Sequence, residues 1–181
     1  MQQMFIDFWS FMTNLGDPVI ISFFIVWLLS LYYLLGWRHP SCERAKRDRA
    51  FLKKLLKLLL PSVVISLSAT EMLKMIFLVP RACILCPAVS CNPFCLPSFS
   101  FPSGHAAAAT AVAVSIYIIS GRRWVSLPVF AFPVLNGISR LVLGVHTIID
   151  VIGAFVLGLS VTLIVWRFRK SIYRWEDEKI F

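Results

Sequence analysis

The residues best suited to chemistry lie in one apolar stretch, from Ser139 to Asp150. His146 and Asp150 are four positions apart, so on a helix they share one face and the carboxylate reaches a ring nitrogen. A histidine held in one tautomer by a carboxylate keeps its other nitrogen available as a base, a ligand or a nucleophile. Arg140 adds a planar guanidinium that suits phosphate oxygens. Because charges in membrane-type sequence cost about 2.5–3.5 kcal/mol each at a helix centre, this cluster indicates a functional site.

The composition indicates that these residues belong to a membrane protein. Of the 181 residues, 59% are hydrophobic and 15% are charged, which leaves too little polar surface for a water-soluble exterior. The net charge is +9, but the cations flank apolar runs and form no basic stripe interleaved with aromatic residues, which excludes nucleic acid as a partner. We expect an all-α integral membrane bundle, with residues 1–181 forming a single domain.

The hydrophobic pattern predicts about five transmembrane helices. We expect the spans near residues 19–37, 51–79, 103–120, 125–145 and 147–166. Residues 1–15 have no Lys or Arg and no cleavage site, and their aromatic residues recur at helical spacing. This pattern predicts an amphipathic helix at the membrane interface rather than a cleavable signal, with a frayed terminus as the alternative. Residues 80–102 are rich in proline and cysteine, which predicts a loop.

The positions of the basic residues predict the orientation in the membrane. Of the 18 Lys and Arg residues, eight lie within 38–57, two at 122–123 and five within 167–179. If five helices alternate, these groups share one side, which the positive-inside rule makes cytoplasmic together with the C-terminus. The other three cations, Lys74, Arg81 and Arg140, fall at or near the opposite face. We therefore expect them to serve a site on the extracytoplasmic side of the plasma membrane.

The same topology brings a helix start to that outer face. The sequence Pro102-Ser103-Gly104-His105 opens the third predicted span, where backbone N–H groups and the positive end of the helix dipole suit an anion. Ser103 can cap the helix, and Gly104 lets a ligand approach the backbone closely. Together with the three cations, this helix start predicts a pocket for a tetrahedral oxyanion such as phosphate. His146, oriented by Asp150, could then attack phosphorus while His105 protonates the leaving oxygen.

Three motifs carry a family resemblance: Lys74-x6-Arg81, Pro102-Ser103-Gly104-His105 and Ser139-Arg140-x5-His146-x3-Asp150. In order and spacing they are similar to the signature motifs of the type 2 phosphatidic acid phosphatase (PAP2) superfamily, and the resemblance covers residues 71–166. One departure is visible, because the family usually has Pro directly after the Arg of its first motif, whereas here Ala82 follows Arg81 and Pro80 precedes it.

The resemblance implies a metal-independent phosphatase with no cofactor and a phosphohistidine intermediate on His146. It implies Asp150 as the partner of that histidine and His105 as the general acid. The phosphate binders that it implies are Lys74, Arg81, Ser103, Gly104 and Arg140. Small members of the family act on polyprenyl diphosphates, phosphatidylglycerol phosphate or phosphatidate, and of these we expect a polyprenyl diphosphate. The alternative of another class is a transporter or scaffold that binds a lipid phosphate without cleaving it.

Two further expectations concern the surroundings of the pocket. Glu71 lies one turn before Lys74 and is expected to pair with its ammonium group rather than to act in catalysis. Four cysteines in the predicted exterior loop indicate two disulfides, with a zinc site as the alternative. They are Cys83, Cys86, Cys91 and Cys95. Cys42, on the predicted cytoplasmic side, is expected to be a free thiol.

Overall fold

The computed structural model describes residues 2–38, 42–85, 98–122 and 126–172. Within these ranges all regular structure is helical, as the sequence predicts. In chain order the helices are α1 (Gln2–Leu15), α2 (Pro18–Arg38), α3 (Glu43–Phe77), α4 (Ala82–Leu85), α5 (Gly104–Ser120), α6 (Ser126–Val142) and α7 (Ile148–Ile172). The single turn of α4 lies inside the segment that we predicted to be loop throughout.

Among the described residues, two helices are long and apolar enough to cross a bilayer. These are Pro18–Arg38, with 21 residues, and Ile148–Ser171, with 24 residues. Shorter apolar helices cover Gly104–Ser120 and Pro128–Val142. The side chains of α2 that point away from the bundle are large and apolar; Phe23, for example, is 72% exposed. A helix that is hydrophobic all round needs an apolar environment on its outer face as well, and lipid provides one.

The second predicted span is part of a longer helix. α3 contains 35 residues and runs through Pro61, so its length is about 52 Å at a rise of about 1.5 Å per residue. It begins at Glu43 rather than near residue 51 because the segment before residue 51 also packs on the bundle: Ala45 is buried, and the guanidinium group of Arg49 lies 5.0 Å from the ring centroid of Tyr32 in α2. The buried face packs against α2 and α5, while Arg44, Lys46, Arg47 and Lys53 are exposed. Packing of this face stabilises the helix beyond the apolar part of the sequence.

α5 is the central helix and packs against α3, α6 and α7. The four alanines of residues 106–109 have no exposed surface. Small side chains let the helices approach closely: a Cβ added to Gly158 of α7 would lie 2.5 Å from the carbonyl oxygen of Ala107 and 2.9 Å from Cβ of Thr110. Close backbone approach through small residues is typical of helix packing in membranes. It fixes the first two turns of α5 against the third turn of α7.

α1 is a docked helix, not a frayed terminus. It packs against α6, and Nδ2 of Asn136 donates to the carbonyl oxygens of Met12, at 3.0 Å, and Thr13, at 3.2 Å. A Cβ at Gly16 would collide with the Asn136 amide, so this position accepts only glycine at the observed spacing. Much of the rest of α1 is apolar and exposed, including Phe11, which is 58% exposed. An exposed aromatic face agrees with the predicted interfacial helix.

Candidate active site

Hydrogen bonds between helix ends gather the predicted site residues at one end of the bundle. The backbone N–H of Ser103, before α5, donates to the carbonyl oxygen of Asp150 in α7 at 3.2 Å. A Cβ on Gly104 would lie 3.7 Å from Cγ2 of Thr70, so the start of α5 also adjoins α3. The N–H of Ser100 donates to the carbonyl oxygen of Val79 at 2.7 Å. The three motifs therefore meet although they are far apart in sequence.

His146 and Asp150 form a buried pair, with Nδ1 and Oδ2 3.5 Å apart. On a helix the two residues would share one face; in the structure His146 lies in the bend before α7, between the predicted spans 125–145 and 147–166, and Asp150 lies in the first turn of α7. Gly144 allows that bend, because its φ of 67° lies in the left-handed region. The carboxylate is anchored independently, since Oδ2 of Asp150 also accepts the N–H of Thr147 at 2.7 Å.

Ser100 joins this pair, and the sequence argument did not include it. Its hydroxyl donates to Oδ2 of Asp150 and lies 3.3 Å from Nδ1 of His146. A hydroxyl has one proton, and Ser100 uses it in the hydrogen bond to the carboxylate. Toward His146, the oxygen of Ser100 can therefore only accept, and the donor must be the N–H at Nδ1. The arrangement therefore places the imidazole proton on Nδ1 and leaves Nε2 of His146 with a lone pair.

Replacing Ser100 with alanine is expected to lower kcat by about tenfold, since a hydrogen-bond partner that orients a functional histidine typically contributes about 10–100-fold and Asp150 remains in place. The measurement is the rate of phosphate release from a lipid phosphate by the purified variant. Ser115→Ala is the matched control, because this buried hydroxyl only donates to the carbonyl oxygen of Ala111 in its own helix. Equal rates for both variants would show that the hydroxyl of Ser100 does not orient His146.

His105 begins α5 and is partly buried, with 21% of its side chain exposed. Its Nε2 lies 3.4 Å from Oδ2 of Asp17, a residue between α1 and α2. The charge of Arg140 acts on both His105 and His146, and the charge of Arg81 acts on His146. Two imidazoles and two guanidinium groups thus share one neighbourhood.

Three predicted phosphate binders present buried donors without a partner. Among the described residues, Nη1 of Arg81, Oγ of Ser103 and Nε of Arg140 are buried polar atoms that make no hydrogen bond. Ser103 occupies the N-cap position of α5, yet its side chain makes no capping bond, so the predicted capping role is wrong and its hydroxyl remains available. Buried donors are nearly always paired in folded proteins. Other buried atoms, such as Oγ of Ser62 and Ser66 in α3, also make no hydrogen bond, but these three belong to predicted phosphate binders from separate segments, which favours a place for an anion.

Other donors of the two arginines bond to the protein. Nε and Nη2 of Arg81 donate to the backbone oxygen and hydroxyl of Ser98, at 3.2 and 2.8 Å. Nη1 of Arg140 donates to Oγ1 of Thr13 at 3.5 Å, and that hydroxyl lies 2.7 Å from Oγ of Ser139. Arg140 thus depends on a residue of α1, outside all three motifs. The two bonds to Ser98 orient the guanidinium of Arg81, and the contact with Thr13 restrains that of Arg140.

Lys74 is buried near the end of α3, and its ammonium group lies 2.7 Å from a carboxylate oxygen of Glu71. The predicted ion pair is therefore confirmed. The carboxylate itself is mostly in solvent, because 69% of the Glu71 side chain is exposed. α3 ends three residues after Lys74, and the next residue, Leu78, adopts a φ of 50° and donates its N–H to the Lys74 carbonyl oxygen at 3.0 Å.

The described cysteines differ in state. Cys83 is buried and disulfide-bonded, whereas Cys42 is free and exposed, as expected. Backbone N–H groups of Ala45 and then Arg44 at the start of α3 lower the pKa of the Cys42 thiol. Of the predicted disulfide or zinc cysteines, three lie outside the described residues: Cys86, Cys91 and Cys95. The described residues contain no group of three His, Cys, Asp or Glu side chains that could hold a metal ion, and metal independence stays a prediction.

Comparison with known proteins matches the segment that carries the motifs. Residues 55–174, more than half of the chain, match the PAP2 superfamily. Phosphatidylglycerophosphatase B of Bacillus subtilis (strain 168) is 37% identical over 90 residues, covering 45% of this chain and 44% of that protein. Undecaprenyl-diphosphatase BcrC of the same organism is 35% identical over 69 residues, covering 38% and 35%. The matched regions thus span less than half the length of either relative.

Two solved structures share the fold. The crystal structure of the first transmembrane PAP2 type phosphatidylglycerolphosphate phosphatase, from Bacillus subtilis, superposes with a TM-score of 0.67 at 24% identity, covering 97% of this chain and 82% of that one. The crystal structure of Aquifex aeolicus LpxE gives a TM-score of 0.57 at 22% identity, covering 89% and 93%. Taken with the match over residues 55–174, they lead to one conclusion: this chain is a membrane protein of the PAP2 superfamily.

Proposed function

We propose that this protein is an integral membrane lipid phosphatase that cleaves a phosphate monoester or diphosphate lipid through a phosphohistidine on His146. The observation that carries the proposal is the set of three buried, unpaired donors on Arg81, Ser103 and Arg140. The charges of the two arginines act on His146, and the backbone N–H of Ser103 donates to the carbonyl oxygen of Asp150. A tetrahedral oxyanion satisfies several donors at once, and guanidinium groups bind its oxygens in a planar fork. Lys74 adds a positive charge, and Gly104, which has no side chain, lets the phosphate approach the backbone N–H groups at the start of α5.

In the first step, Nε2 of His146 attacks phosphorus, the new P–N bond forms, and the bond to the leaving oxygen breaks. His105 gives its proton to that oxygen, so the lipid leaves as a neutral alcohol or as a lipid monophosphate. Asp150 balances the positive charge that develops on the phosphorylated imidazole. The cations and the helix start stabilise the equatorial oxygens, where negative charge accumulates in the transition state.

In the second step, water attacks phosphorus, and the P–N bond breaks. His105, now neutral, takes the proton from the water, and inorganic phosphate leaves. His146 recovers its lone pair on Nε2, so both histidines return to their starting states. No electron transfer occurs, and the side chains named above supply every proton that the two steps need.

We propose that five helices, α2, α3, α5, α6 and α7, cross the plasma membrane, with α1 at the outer interface. Alternating directions put the end of α3, the start of α5, the end of α6 and the start of α7 on one side, which is where the site residues lie. The basic segment at the start of α3 and the C-terminal basic residues fall on the other side. The positive-inside rule makes that side cytoplasmic, so the site faces outward.

We propose a polyprenyl diphosphate as the substrate, and the name of the undecaprenyl-diphosphatase relative supports this choice. Phosphatidylglycerol phosphate is the second candidate, favoured by the name of the phosphatidylglycerophosphatase B relative. Phosphatidate is the third candidate substrate. All three present a phosphate at the membrane surface with a hydrocarbon tail in lipid, which suits a site at the outer end of a helical bundle.

The test is phosphate release by the purified full-length protein in detergent from a panel of polyprenyl diphosphate, phosphatidylglycerol phosphate and phosphatidate. We expect fastest release from the polyprenyl diphosphate, with activity unchanged by a metal chelator, because the named side chains carry out every step. Vanadate is expected to inhibit, since it mimics pentacoordinate phosphorus. Binding of these lipids without release of phosphate from any of them would instead favour a carrier or scaffold.

A further inference from the structure

A carboxylate from outside the three motifs faces the proposed general acid. Asp17 lies in the short link between α1 and α2, and its Oδ2 is 3.4 Å from Nε2 of His105. Its other oxygen, Oδ1, accepts the backbone N–H of Val19 at 2.7 Å and so caps α2. The two oxygens have different partners, and the capping bond fixes the plane of the carboxylate that His105 meets.

The link that carries Asp17 is held on both sides by backbone hydrogen bonds. The N–H of Asp17 donates to the carbonyl oxygen of Asn14 at 2.9 Å, and its own carbonyl oxygen accepts the N–H of Ile21 at 2.9 Å. The preceding turn is bound to α6 through Asn136, which donates to the carbonyl oxygen of Thr13 at 3.2 Å. The position of the carboxylate is therefore set by the docking of α1 and not by a free loop.

We propose, on the basis of the function proposed above, that Asp17 is a positioning residue for His105. It holds the Nε2–H of the ring, so that Nδ1 is the nitrogen that exchanges a proton with the substrate. Asp150 and Ser100 hold His146 by its Nδ1, whereas Asp17 holds His105 by its Nε2. Each imidazole then offers one defined nitrogen to the same phosphorus centre.

The proton balance follows from this arrangement. In the first step the Nδ1–H bond of His105 breaks, its proton passes to the leaving oxygen, and the ring becomes neutral with Nε2–H still directed at Asp17. In the second step the Nδ1 lone pair takes a proton from the attacking water. Asp17 remains a carboxylate throughout and exchanges no proton. Its negative charge also offsets the positive charge of Arg140, which acts on His105.

The proposal assigns a catalytic purpose to the N-terminal helix. α1 and the Asp17 link lie outside residues 55–174, the segment that matches the superfamily. Through Thr13 this region also contacts Arg140, so one docked helix contacts both a proposed phosphate binder and the proposed acid. The site is complete only when α1 is packed against α6.

The test is Asp17→Asn, which keeps an oxygen to cap α2 and removes the charge. For a lipid phosphate with an alkyl leaving group, we expect kcat to fall by about 10–100-fold with KM changed by less than about threefold. With p-nitrophenyl phosphate the leaving group departs as a stable anion and needs no proton. The initial burst of nitrophenolate, which reports phosphorylation of His146, is therefore expected to fall by less than about threefold.

Two comparisons separate positioning from a purely structural role. Ser10→Ala is the control in α1, because this hydroxyl bonds only to the Ile6 carbonyl oxygen of its own helix, and it should keep wild-type rates. The double variant Asp17→Asn/His105→Ala should be no slower than His105→Ala alone, because a residue that acts through His105 has no effect once that side chain is gone.

The outcomes distinguish this proposal from the proposed function. If wild type and Asp17→Asn release phosphate from the alkyl lipid at equal rates, Asp17 does not position the acid, and the lipid phosphatase proposal stands. Equal losses on the alkyl and aryl substrates, or a further loss in the double variant, would likewise overturn the role of Asp17. If wild type releases no phosphate from any lipid, both proposals are wrong.

Discussion

Replacing His146 with alanine is expected to abolish phosphate release, with a fall of roughly 10³–10⁶-fold in kcat, the range seen when a nucleophile is removed. Alanine cannot form the P–N bond, and the remaining donors only bind the phosphate. Because Arg81, Ser103 and Arg140 are unchanged, lipid phosphate should still bind with a similar dissociation constant. The measurements are steady-state phosphate release and equilibrium binding of the same lipid by the purified protein.

The chain offers a matched control, because it has three histidines and the third, His39, lies in the predicted cytoplasmic segment. His39→Ala should retain wild-type activity. A second readout identifies the intermediate directly: after a rapid quench with labelled substrate, phosphate should stay on the wild-type protein in alkali and be lost in acid, as expected for a phosphorus–nitrogen bond. Appreciable turnover by His146→Ala would exclude this histidine as the nucleophile.

Much of the candidate site could be predicted from the sequence, because polar side chains in apolar, membrane-spanning segments are costly in lipid and therefore tend to gather at one site. His146 and Asp150 could be paired from spacing alone, and the pair persists although His146 precedes α7 rather than lying within it. The meeting of Arg81, Ser103 and Arg140 followed from alternating helix directions. Residue spacing within one segment can be seen in a single sequence, and so can the number of membrane spans, which decides on which side each helix end lies.

The residues that the sequence argument missed contact the site from other segments. Asp17 and Thr13 reach His105 and Arg140 only because α1 docks on α6, and nothing in the local pattern of α1 specifies that packing partner. Ser100 lies two residues before the second motif, but the bond that it makes is with Asp150, fifty positions further along the chain. Contacts of this kind depend on tertiary packing, for which a single sequence has no periodic signal.

The predicted start of α3 was wrong for a different reason. The prediction treated the basic segment before residue 51 as a connection because its charge excludes it from the bilayer core. Helix formation depends on hydrogen bonding and on a buried face, and in α3 that face extends back to Ala45, which is buried. A membrane helix can extend into water wherever its buried face finds a partner. Charge thus predicts where the membrane ends, but not where the helix ends.

Asp150→Asn is expected to lower kcat by about 10²–10⁴-fold while the protein remains folded, by analogy with the loss of the carboxylate in other histidine–carboxylate pairs. With its amide oxygen in the place of Oδ2, asparagine can still accept from Thr147 and Ser100. It lacks the negative charge that balances the phosphorylated imidazole. In the opposite orientation its N–H₂ faces Nδ1 of His146 and favours the tautomer whose Nε2 carries the proton and cannot attack.

Both orientations leave the cations of the pocket in place, so the loss should appear in kcat, with KM unchanged or lower. The melting temperature in detergent and single-turnover formation of the phosphoenzyme should be measured alongside, and Asp48→Asn, on the exposed surface of α3, is the matched control. The fall in kcat should exceed that of Ser100→Ala, because the Ser100 hydroxyl only links the carboxylate of Asp150 to the ring of His146 and carries no charge itself. A variant that forms the phosphoenzyme at the wild-type rate would show that Asp150 serves packing and not the chemistry of His146.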